Sequence, residues 1–385
     1  DDLGWTDFAC QGSTFYETPN IDRLAAQGMT FTDAYAPAAN CAPSRACVLT
    51  GQYGPRHGVY TVGSSARGKA KDRKLIPIEN TLSIADDNLT IAHALKPAGY
   101  KSITIGKWHV SKDPLKNGFD INIAGGHWGG PYPPGKPRGY HSPYVYPNMK
   151  QPNGGEYLTD RLTDEAIRFM HTNKEGPFFL YLPYYTVHIP LQAKAELKEK
   201  FVKKAGNPAH NNATYAAMIA SLDENVGRLM ETLDTLGLAQ NTLVVLTSDN
   251  GGVFKISKQW PLRAGKGAYY EGGIREPLFV RWPGKIEPGS TCRTPVSGID
   301  LYPTFLDAVG AEKPAGKLLD GVSLMPLLTQ SGSIEDRALF WHFPIYLQSY
   351  RQTAVESRDR KFRTRPGSVI RYGDWKLHEY FEDGG

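Results

Sequence analysis

Apolar positions along this chain fall into short unbroken runs and into longer stretches with helical spacing. Short apolar runs bounded by Gly, Pro or Asn predict buried strands, and they occur at residues 102–105, 178–182, 242–247 and 278–282. Apolar side chains at helical spacing predict helices at residues 159–173 and 215–236, with Gly237 ending the second. Alternating strands and helices favour an α/β fold with helices on both faces of a sheet. The four strands are expected to be central in it.

The remaining patterns concern the two ends and one loop. The start, Asp-Asp-Leu-Gly-Trp, resembles the end of a strand whose earlier residues are missing, and residues 369–381 alternate as in a small antiparallel sheet. We expect truncation at both ends, with Gly384 and Gly385 stopping the chain before a further segment. Residues 125–152 are rich in Gly, Pro, Tyr and Trp without periodicity, which predicts a long loop of a kind that is often functional.

Length and charge narrow the functional classes. A chain of 385 residues can bury a large core, and we expect a main domain at residues 1–332 and a partial C-terminal subdomain at 333–385. No apolar stretch of about 18 residues occurs, so no membrane span is predicted. The net charge of +5 is not concentrated in a long Lys/Arg run. It suits an anionic substrate, and no nucleic-acid partner is expected.

The most informative segment is residues 41–51, Cys-Ala-Pro-Ser-Arg-Ala-Cys-Val-Leu-Thr-Gly. Proline suits a first helical position and Gly51 a left-handed C-cap, so a short helix is predicted at residues 44–49. Cys41 would face its N-terminus, where free N–H groups stabilise an anion, and Arg45 would add a guanidinium on the same face. The residues alone leave two alternatives open for Cys41: an ordinary activated thiolate, or a small buried side chain.

Acidic and amide side chains follow predicted strands. Asp249 and Asn250 follow the strand at residues 242–247, and Asp1 and Asp2 follow the strand-like start in the same manner. Ligands bind beyond the carboxyl ends of strands in open α/β sheets, and an all-oxygen set suits Ca²⁺ or Mg²⁺. Taken alone, Ser-Asp-Asn-Gly-Gly is a good turn, an interpretation favoured roughly two to one over metal binding.

Basic and imidazole side chains occupy similar places. Lys107 and His109 come just past the first predicted strand, His188 follows the second, and Lys266 stands between two glycines. Fixed cations near a strand end would stabilise charge that develops on the oxygens of a transferred group. The alternatives are a solvated lysine beside a capping histidine, and a purely structural histidine.

Taken together, these segments resemble the formylglycine-dependent (type I) sulfatases of the alkaline phosphatase-like superfamily. The matching segments are the initial Asp-Asp, Cys-x-Pro-Ser-Arg followed by Thr-Gly, Gly-Lys-Trp-His, Asp-Asn, and Glu-Gly-Gly-Ile-Arg-Glu-Pro. The resemblance extends from residue 1 to about residue 328 and more weakly through residues 370–377, and Glu276 departs from the family's usual apolar residue. It implies an α/β/α sandwich with a central mixed sheet and a small, truncated C-terminal antiparallel sheet subdomain.

The resemblance also implies a cofactor set. A formylglycine-generating maturation enzyme would convert Cys41 to formylglycine, whose hydrate is the nucleophile in this family. A calcium ion, with magnesium as the alternative, would be bound by five residues: Asp1, Asp2, Cys41, Asp249 and Asn250. Such enzymes are expected in the periplasm, in lysosomes or outside the cell.

The remaining site residues receive roles in the same way. Arg45 would help to polarise the hydrate, while Lys107 and Lys266 would hold the sulfate oxygens. His188, with Lys266 as a further candidate, would protonate the leaving alcohol, and His109 would take the proton of the second hydroxyl as sulfate is expelled.

Three functions are therefore considered. The leading one is a sulfatase acting on a sulfated carbohydrate, since the aromatic residues of the loop at 125–152 could stack on sugar rings, although a purely structural role for the loop is an equal alternative. The second is a phosphonate monoester or phosphodiester hydrolase, because relatives with that activity share Cys-x-Pro-x-Arg. The third, an inactive sulfatase-like glycan-binding protein, would be favoured if Cys41 stayed a thiol while sulfated glycans still bound.

Overall fold

The computed structural model describes residues 1–136, 139–150, 154–349, 356–358 and 360–383. The α-helices are α1 Pro19–Ala26, α2 Cys41–Thr50, α3 Gly54–His57, α4 Ile91–Leu95, α5 Leu158–Asn173, α6 Ala195–Val202, α7 Ala213–Thr235, α8 Glu271–Ile274, α9 Leu301–Val309 and α10 Met325–Leu328. The strands are β1 Met29–Tyr35, β2 Lys101–Ile105, β3 Ile121–Ile123, β4 Phe178–Tyr181, β5 Val244–Thr247, β6 Arg275–Arg281, β7 Ser290–Cys292, β8 Val296–Ser297, β9 Leu339–Phe343, β10 Leu347–Gln348, β11 Phe362–Thr364, β12 Gly367–Tyr372 and β13 Trp375–Tyr380.

The predicted helices α5 and α7 are confirmed, and Gly237 has the positive φ of 69° expected at a helix end. Of the predicted loop at residues 125–152, residues 137–138 and 151–152 lie outside the described residues, as does the predicted stop at 384–385. The rest of that loop contains no helix or strand.

Two sheets form the centre of the fold. β1 runs antiparallel to β6 and parallel to β7 and β8, and β5 adds to the other edge of β6. β2 lies between β3 and β4, all parallel. The chain start lies between the segments that follow β4 and β5, because Val187 N–H donates to Asp1 O at 2.9 Å and Leu3 N–H to Ser248 Oγ at 3.2 Å. The predicted central mixed sheet is confirmed, and among the described residues its strands form these two parts.

Two strands differ from the prediction in their position. β2 and β6 have a neighbour on each side, as predicted for central strands. Within the described chain, β4 and β5 pair on one side only, so their prediction as central strands is wrong. All four residues of β4 are half-buried.

Helices cover both faces of the sheet, as predicted. Phe178 and Leu180 of β4 pack into a cluster with α5 and α7, whereas Phe179 and Tyr181 pack with residues of α2 and α4 on the opposite face. This alternation follows from the two-residue period of a strand. The apolar stripe predicted for α7 is part of the first cluster.

A small antiparallel sheet completes the C-terminal part. β12 lies between β9 and β13, which confirms the alternating pattern predicted for residues 369–381. The sheet packs on the main body through aromatic side chains, and the rings of Tyr269 and Phe343 stack with centroids 3.9 Å apart. The predicted boundary after residue 332 falls between α10 and β9 and stays a prediction. Among the described residues, no helix combines the length and apolar character needed to cross a bilayer.

Candidate active site

Cys41 is the first residue of α2, a helix that begins earlier than the predicted residue 44. Pro43 is tolerated inside the first turn because the N–H groups of that turn have no partner within the helix. Gly51 ends the helix with a φ of 65°, as predicted. The Cys41 thiol is buried, and its Sγ lies 3.4 Å from Nδ1 of His109. The thiol therefore belongs to the first turn instead of facing it from outside.

Arg45 connects this helix to two strand ends. Its Nε donates to Oδ2 of Asp249 at 2.8 Å, and its NH1 group donates to the main-chain oxygen of Lys107 at 2.7 Å. The Arg45 side chain is 4% exposed. Burial acts to raise the pKa of Asp249, but Arg45 and the other nearby cations bring this pKa well below its ordinary value. Asp249 is therefore ionised at neutral pH.

The acidic residues come together as a group that suits a metal ion. Carboxylate oxygens of Asp1, Asp2 and Asp249 lie within 4.8 Å of one another. Asn250 donates through Nδ2 to Asp2 Oδ1 at 2.9 Å, while its own Oδ1 and Oδ1 of Asp1 are buried and have no hydrogen-bond partner among the described residues. Buried acceptors without partners are rare and costly. A hard divalent cation would satisfy both oxygens, so the donor set fits Ca²⁺ or Mg²⁺.

Two lysines neutralise these carboxylates. Nζ of Lys107, a fully buried side chain, lies 2.5 Å from Oδ2 of Asp1. Nζ of Lys266 lies 2.5 Å and 2.7 Å from the two oxygens of Asp2. Burial lowers the pKa of Lys107, and the nearby Arg45 adds to that effect. The site thus balances a compact group of carboxylates with fixed cations.

The two histidines are held neutral. Burial, reinforced by Lys107 and Arg45, brings the pKa of His109 well below its ordinary value. Burial and Lys107 lower the pKa of His188 to about 3, although the nearby Asp2 opposes this. Nδ1 of His188 lies 2.7 Å from the oxygen of Ile189, and its Nε2 lies 3.8 Å from Oδ2 of Asp2. Neutral imidazoles can accept a proton, which suits the role predicted for His109.

Part of the predicted loop covers both histidines. A Cβ added to Gly129 would lie 2.8 Å from Cε1 of His109, and one added to Gly130 would lie 2.9 Å from Nδ1 of His188. This close approach requires glycine at both positions. The ring of His127 lies 6.0 Å from that of His109, and the ring of Tyr132 lies 6.2 Å from that of His188. The sequence analysis identified neither His127 nor Tyr132 as a site residue. The only sequence feature that pointed to them is the aromatic composition of the loop.

A buried polar network supports the metal-binding end of the chain. The fully buried Asp7 accepts from Tyr215 Oη at 2.6 Å, from Ser257 Oγ at 2.6 Å and from Gly4 N–H at 2.8 Å. Oη of Tyr215 also lies 3.3 Å from the main-chain oxygen of Asp2, whose φ is 61°. The sequence identified Tyr215 only as part of an apolar stripe, because helical spacing carries no information about a hydroxyl group.

The structure therefore brings all predicted site residues together around Cys41. The predicted cations, histidines and metal ligands come from separate segments of the chain and form one connected cluster: Asp1, Asp2, Arg45, Lys107, His109, His188, Asp249, Asn250 and Lys266. Their individual chemical roles remain predictions.

Known proteins share this chain's sequence and architecture. A family profile described as "Sulfatase" matches residues 1–311, and one described as "N-sulphoglucosamine sulphohydrolase, C-terminal" matches residues 265–383. A protein of Formosa agariphila named "Sulfatase" is 34% identical over 100% of this chain and 79% of its own length. The mouse protein named N-acetylgalactosamine-6-sulfatase is 31% identical over 89% of this chain and 67% of its own. The solved structure of Ps i-CgsB in complex with k-i-k-neocarrahexaose has a TM-score of 0.79 and 31% identity, covering 98% of this chain and 82% of that one.

Proposed function

The chain belongs to the sulfatase family of sulfuric ester hydrolases, and from this premise we propose that it hydrolyses sulfate esters on a sulfated carbohydrate, such as a polysaccharide or a glycosaminoglycan fragment. The observation that carries the proposal is the convergence of Arg45, His109 and the carboxylate group on Cys41. The choice of carbohydrate is supported by two relatives, one named for a sulfated amino sugar and one solved with a neocarrahexaose.

We propose that Cys41 is converted to formylglycine by a formylglycine-generating enzyme. The hydrated aldehyde supplies one hydroxyl to attack sulfur and a second through which sulfate is expelled. His109 is placed to take a proton at this position, since its Nδ1 lies 3.4 Å from the atom that Cys41 presents. Its lowered pKa keeps the imidazole unprotonated at neutral pH.

The cations of the site would stabilise charge on the sulfate group. Lys107 and Lys266 form ion pairs with Asp1 and Asp2, and Lys107 interacts electrostatically with Cys41, which supports a position for these ammonium groups close to the sulfate oxygens. Fixed positive charges in a buried site stabilise developing negative charge without reorganisation. His188 would deliver a proton to the leaving alcohol, and a bound anionic substrate would favour its protonated form by raising its pKa.

Calcium is the proposed metal, with magnesium as the alternative. A cation held by Asp1, Asp2, Asp249, Asn250 and the converted Cys41 would act as a Lewis acid toward the sulfate group. The acceptor oxygens of Asp1 and Asn250, which lack a partner within the described part of the chain, support this assignment. Calorimetric titration with CaCl₂ should give a binding heat that Asp249→Asn abolishes and that the exposed Asp336→Asn retains. Unchanged binding by Asp249→Asn would contradict the site.

The function itself is tested on protein co-expressed with a formylglycine-generating enzyme. Peptide mass spectrometry across Cys41 should show an aldehyde, and the same preparation should release sulfate from an aryl sulfate faster than it cleaves an aryl phosphonate. An aldehyde with preferred phosphonate cleavage would identify a phosphonate hydrolase instead. A persistent thiol with retained binding of sulfated glycan would favour the inactive glycan-binding protein.

A further inference from the structure

Two distant basic segments meet on one side of the molecule. Residues 67–74 and residues 356–365 each contain five Lys or Arg side chains, namely Arg67, Lys69, Lys71, Arg73 and Lys74 in the first and Arg358, Arg360, Lys361, Arg363 and Arg365 in the second. Nζ of Lys361 lies 2.7 Å from Oδ1 of Asp72, and a Cβ added to Gly68 would lie 2.6 Å from the Phe362 ring. We call the described residues of these two segments the basic surface.

Seven of the ten basic side chains of this surface fall into two groups. Lys361, Arg358 and Arg365 form ion pairs with Asp72, Asp383 and Glu382, and these pairs hold the segments in place. The second group is exposed, and no acidic side chain of the described chain pairs with its members: Lys69, Lys71, Lys74 and Arg360. These four charges face solvent and are available to an anionic partner.

The basic surface adjoins the active site through Arg363. This side chain donates through its NH1 group to the main-chain oxygen of Lys266 at 3.2 Å and through Nε to the oxygen of Gln348 at 3.0 Å. Arg363 lies in β11, and Lys361 and Arg365 directly precede and follow that strand. Basic residues of the second segment therefore adjoin the segment that carries Lys266.

We propose that the basic surface binds further sulfate groups of a polymeric substrate whose target ester lies at Cys41. The inference rests on the proposed function, because it takes the catalytic centre as a sulfate site. A polysaccharide sulfated along its length would contact several unpaired ammonium groups at once, whereas a small aryl sulfate would occupy only the catalytic centre. Nucleic acid carries the same sign of charge, but its phosphodiesters have no counterpart in a catalytic centre for sulfate esters.

The first experiment compares two triple variants. Lys69→Glu/Lys71→Glu/Lys74→Glu reverses three of the four unpaired charges, and Lys101→Glu/Lys198→Glu/Lys203→Glu reverses three exposed charges elsewhere. We expect kcat/KM for sulfated carrageenan, divided by kcat/KM for an aryl sulfate, to fall about 10-fold in the first variant and to stay unchanged in the second. The loss should shrink in 0.5 M NaCl, because salt screens exposed charges. An unchanged ratio in the first variant, or an equal fall in both, would overturn the proposal.

The second experiment separates this inference from the proposed function. Binding of sulfated carrageenan, desulfated carrageenan and duplex DNA is measured on Cys41→Ala protein, which needs no turnover. The sulfated polymer should bind most tightly, and the Lys69/Lys71/Lys74 variant should weaken that binding about 10-fold. Equal binding of the desulfated polymer, or tighter binding of DNA, would overturn the basic surface as a polysaccharide site. If the sulfated polymer binds as expected but the protein with a converted Cys41 releases no sulfate, the result would count against the proposed function and not against the basic surface.

Discussion

Arg45 Nε donates to Oδ2 of Asp249 at 2.8 Å, which joins the first turns of α2 to the segment following β5. The same guanidinium donates to the main-chain oxygen of Lys107, just past β2. One buried side chain therefore holds three segments that carry the site. Because these contacts use two different nitrogens, a residue with a single ammonium group cannot reproduce them.

Replacement of Arg45 should separate its structural and catalytic contributions. Arg45→Ala leaves Asp249 without its main partner, and breaking a buried ion pair costs about 3–5 kcal/mol of unfolding free energy. Arg45→Lys keeps a positive charge, so it should unfold at a higher urea concentration than Arg45→Ala. Both variants should lose about 10²-fold or more in aryl sulfate turnover, since the planar donor pair is absent. Near-normal turnover of Arg45→Lys would show that the two separate guanidinium donors are not needed for catalysis.

Cys41 and Cys47 provide a matched pair of cysteines in one helix. Both thiols are buried in α2, but Cys41 lies beside His109, while Sγ of Cys47 lies 3.4 Å from Nε2 of His57. Cys41→Ala should abolish sulfate release with little change in thermal stability, because only a small side chain is removed. Cys47→Ala should keep its turnover. Turnover that persists in Cys41→Ala would exclude Cys41 as the source of the nucleophile.

The elements of the fold were largely predictable from local patterns. The helices α5 and α7 show apolar residues at helical spacing, and the strands β2, β4, β5 and β6 contain short apolar runs, so both patterns can be read from the sequence. The position of a strand within a sheet depends on pairing between distant segments, and the expected central position of β4 and β5 was therefore wrong. The start of α2 was missed because proline in a first turn allows more than one starting residue.

The site residues were identified by resemblance and not by physical pattern alone. Nothing in the spacing of Asp2 and Lys266 predicts their ion pair. The apolar helical pattern that includes Tyr215 likewise does not predict the hydrogen bond of its hydroxyl to Asp7. The basic surface was missed for a related reason. The sequence shows no long Lys/Arg run, and folding is what brings residues 67–74 and 356–365 together.

His57 should make the stability of the protein depend on pH. Burial, with a contribution from Lys317, lowers its pKa to about 4, and its Nδ1 accepts from the N–H of Val59 at 3.2 Å. In the unfolded chain the pKa of histidine is about 6.5, so between these values the unfolded state binds the additional proton. The stabilisation is fully present above pH 6.5 and is lost as the pH falls toward 4.

Urea unfolding at pH 7 and pH 5 measures this effect. The wild-type free energy of unfolding should fall with decreasing pH, and His57 should contribute up to about 1.4 kcal/mol per pH unit to the slope. His57→Asn should reduce the slope, whereas His171→Asn, on an exposed position of α5, should leave it unchanged. Identical slopes for wild type and His57→Asn would contradict the assignment.

Glu276 is a buried acid without a hydrogen-bond partner. It lies opposite Ala34 where β6 pairs with β1, it is 1% exposed, and neither carboxyl oxygen has a partner among the described residues. Burial, with contributions from Asp249 and Asp7, raises its pKa well above the ordinary value. The unfolded chain therefore releases this proton at lower pH than the folded chain, so the residue reduces stability increasingly as the pH rises above about 4.5.

Glu276→Leu should consequently stabilise the protein. Removing a buried polar group that lacks a partner should raise the free energy of unfolding by about 1–3 kcal/mol, with a larger gain at pH 7.5 than at pH 5. Glu271→Gln is the matched control, because Glu271 forms ion pairs with Lys376 and Arg275 and should lose stability on neutralisation. Urea unfolding of both variants at the two pH values tests the contrast. A loss of stability in Glu276→Leu comparable to that in Glu271→Gln would mean that the Glu276 carboxyl group has a hydrogen-bond partner in solution.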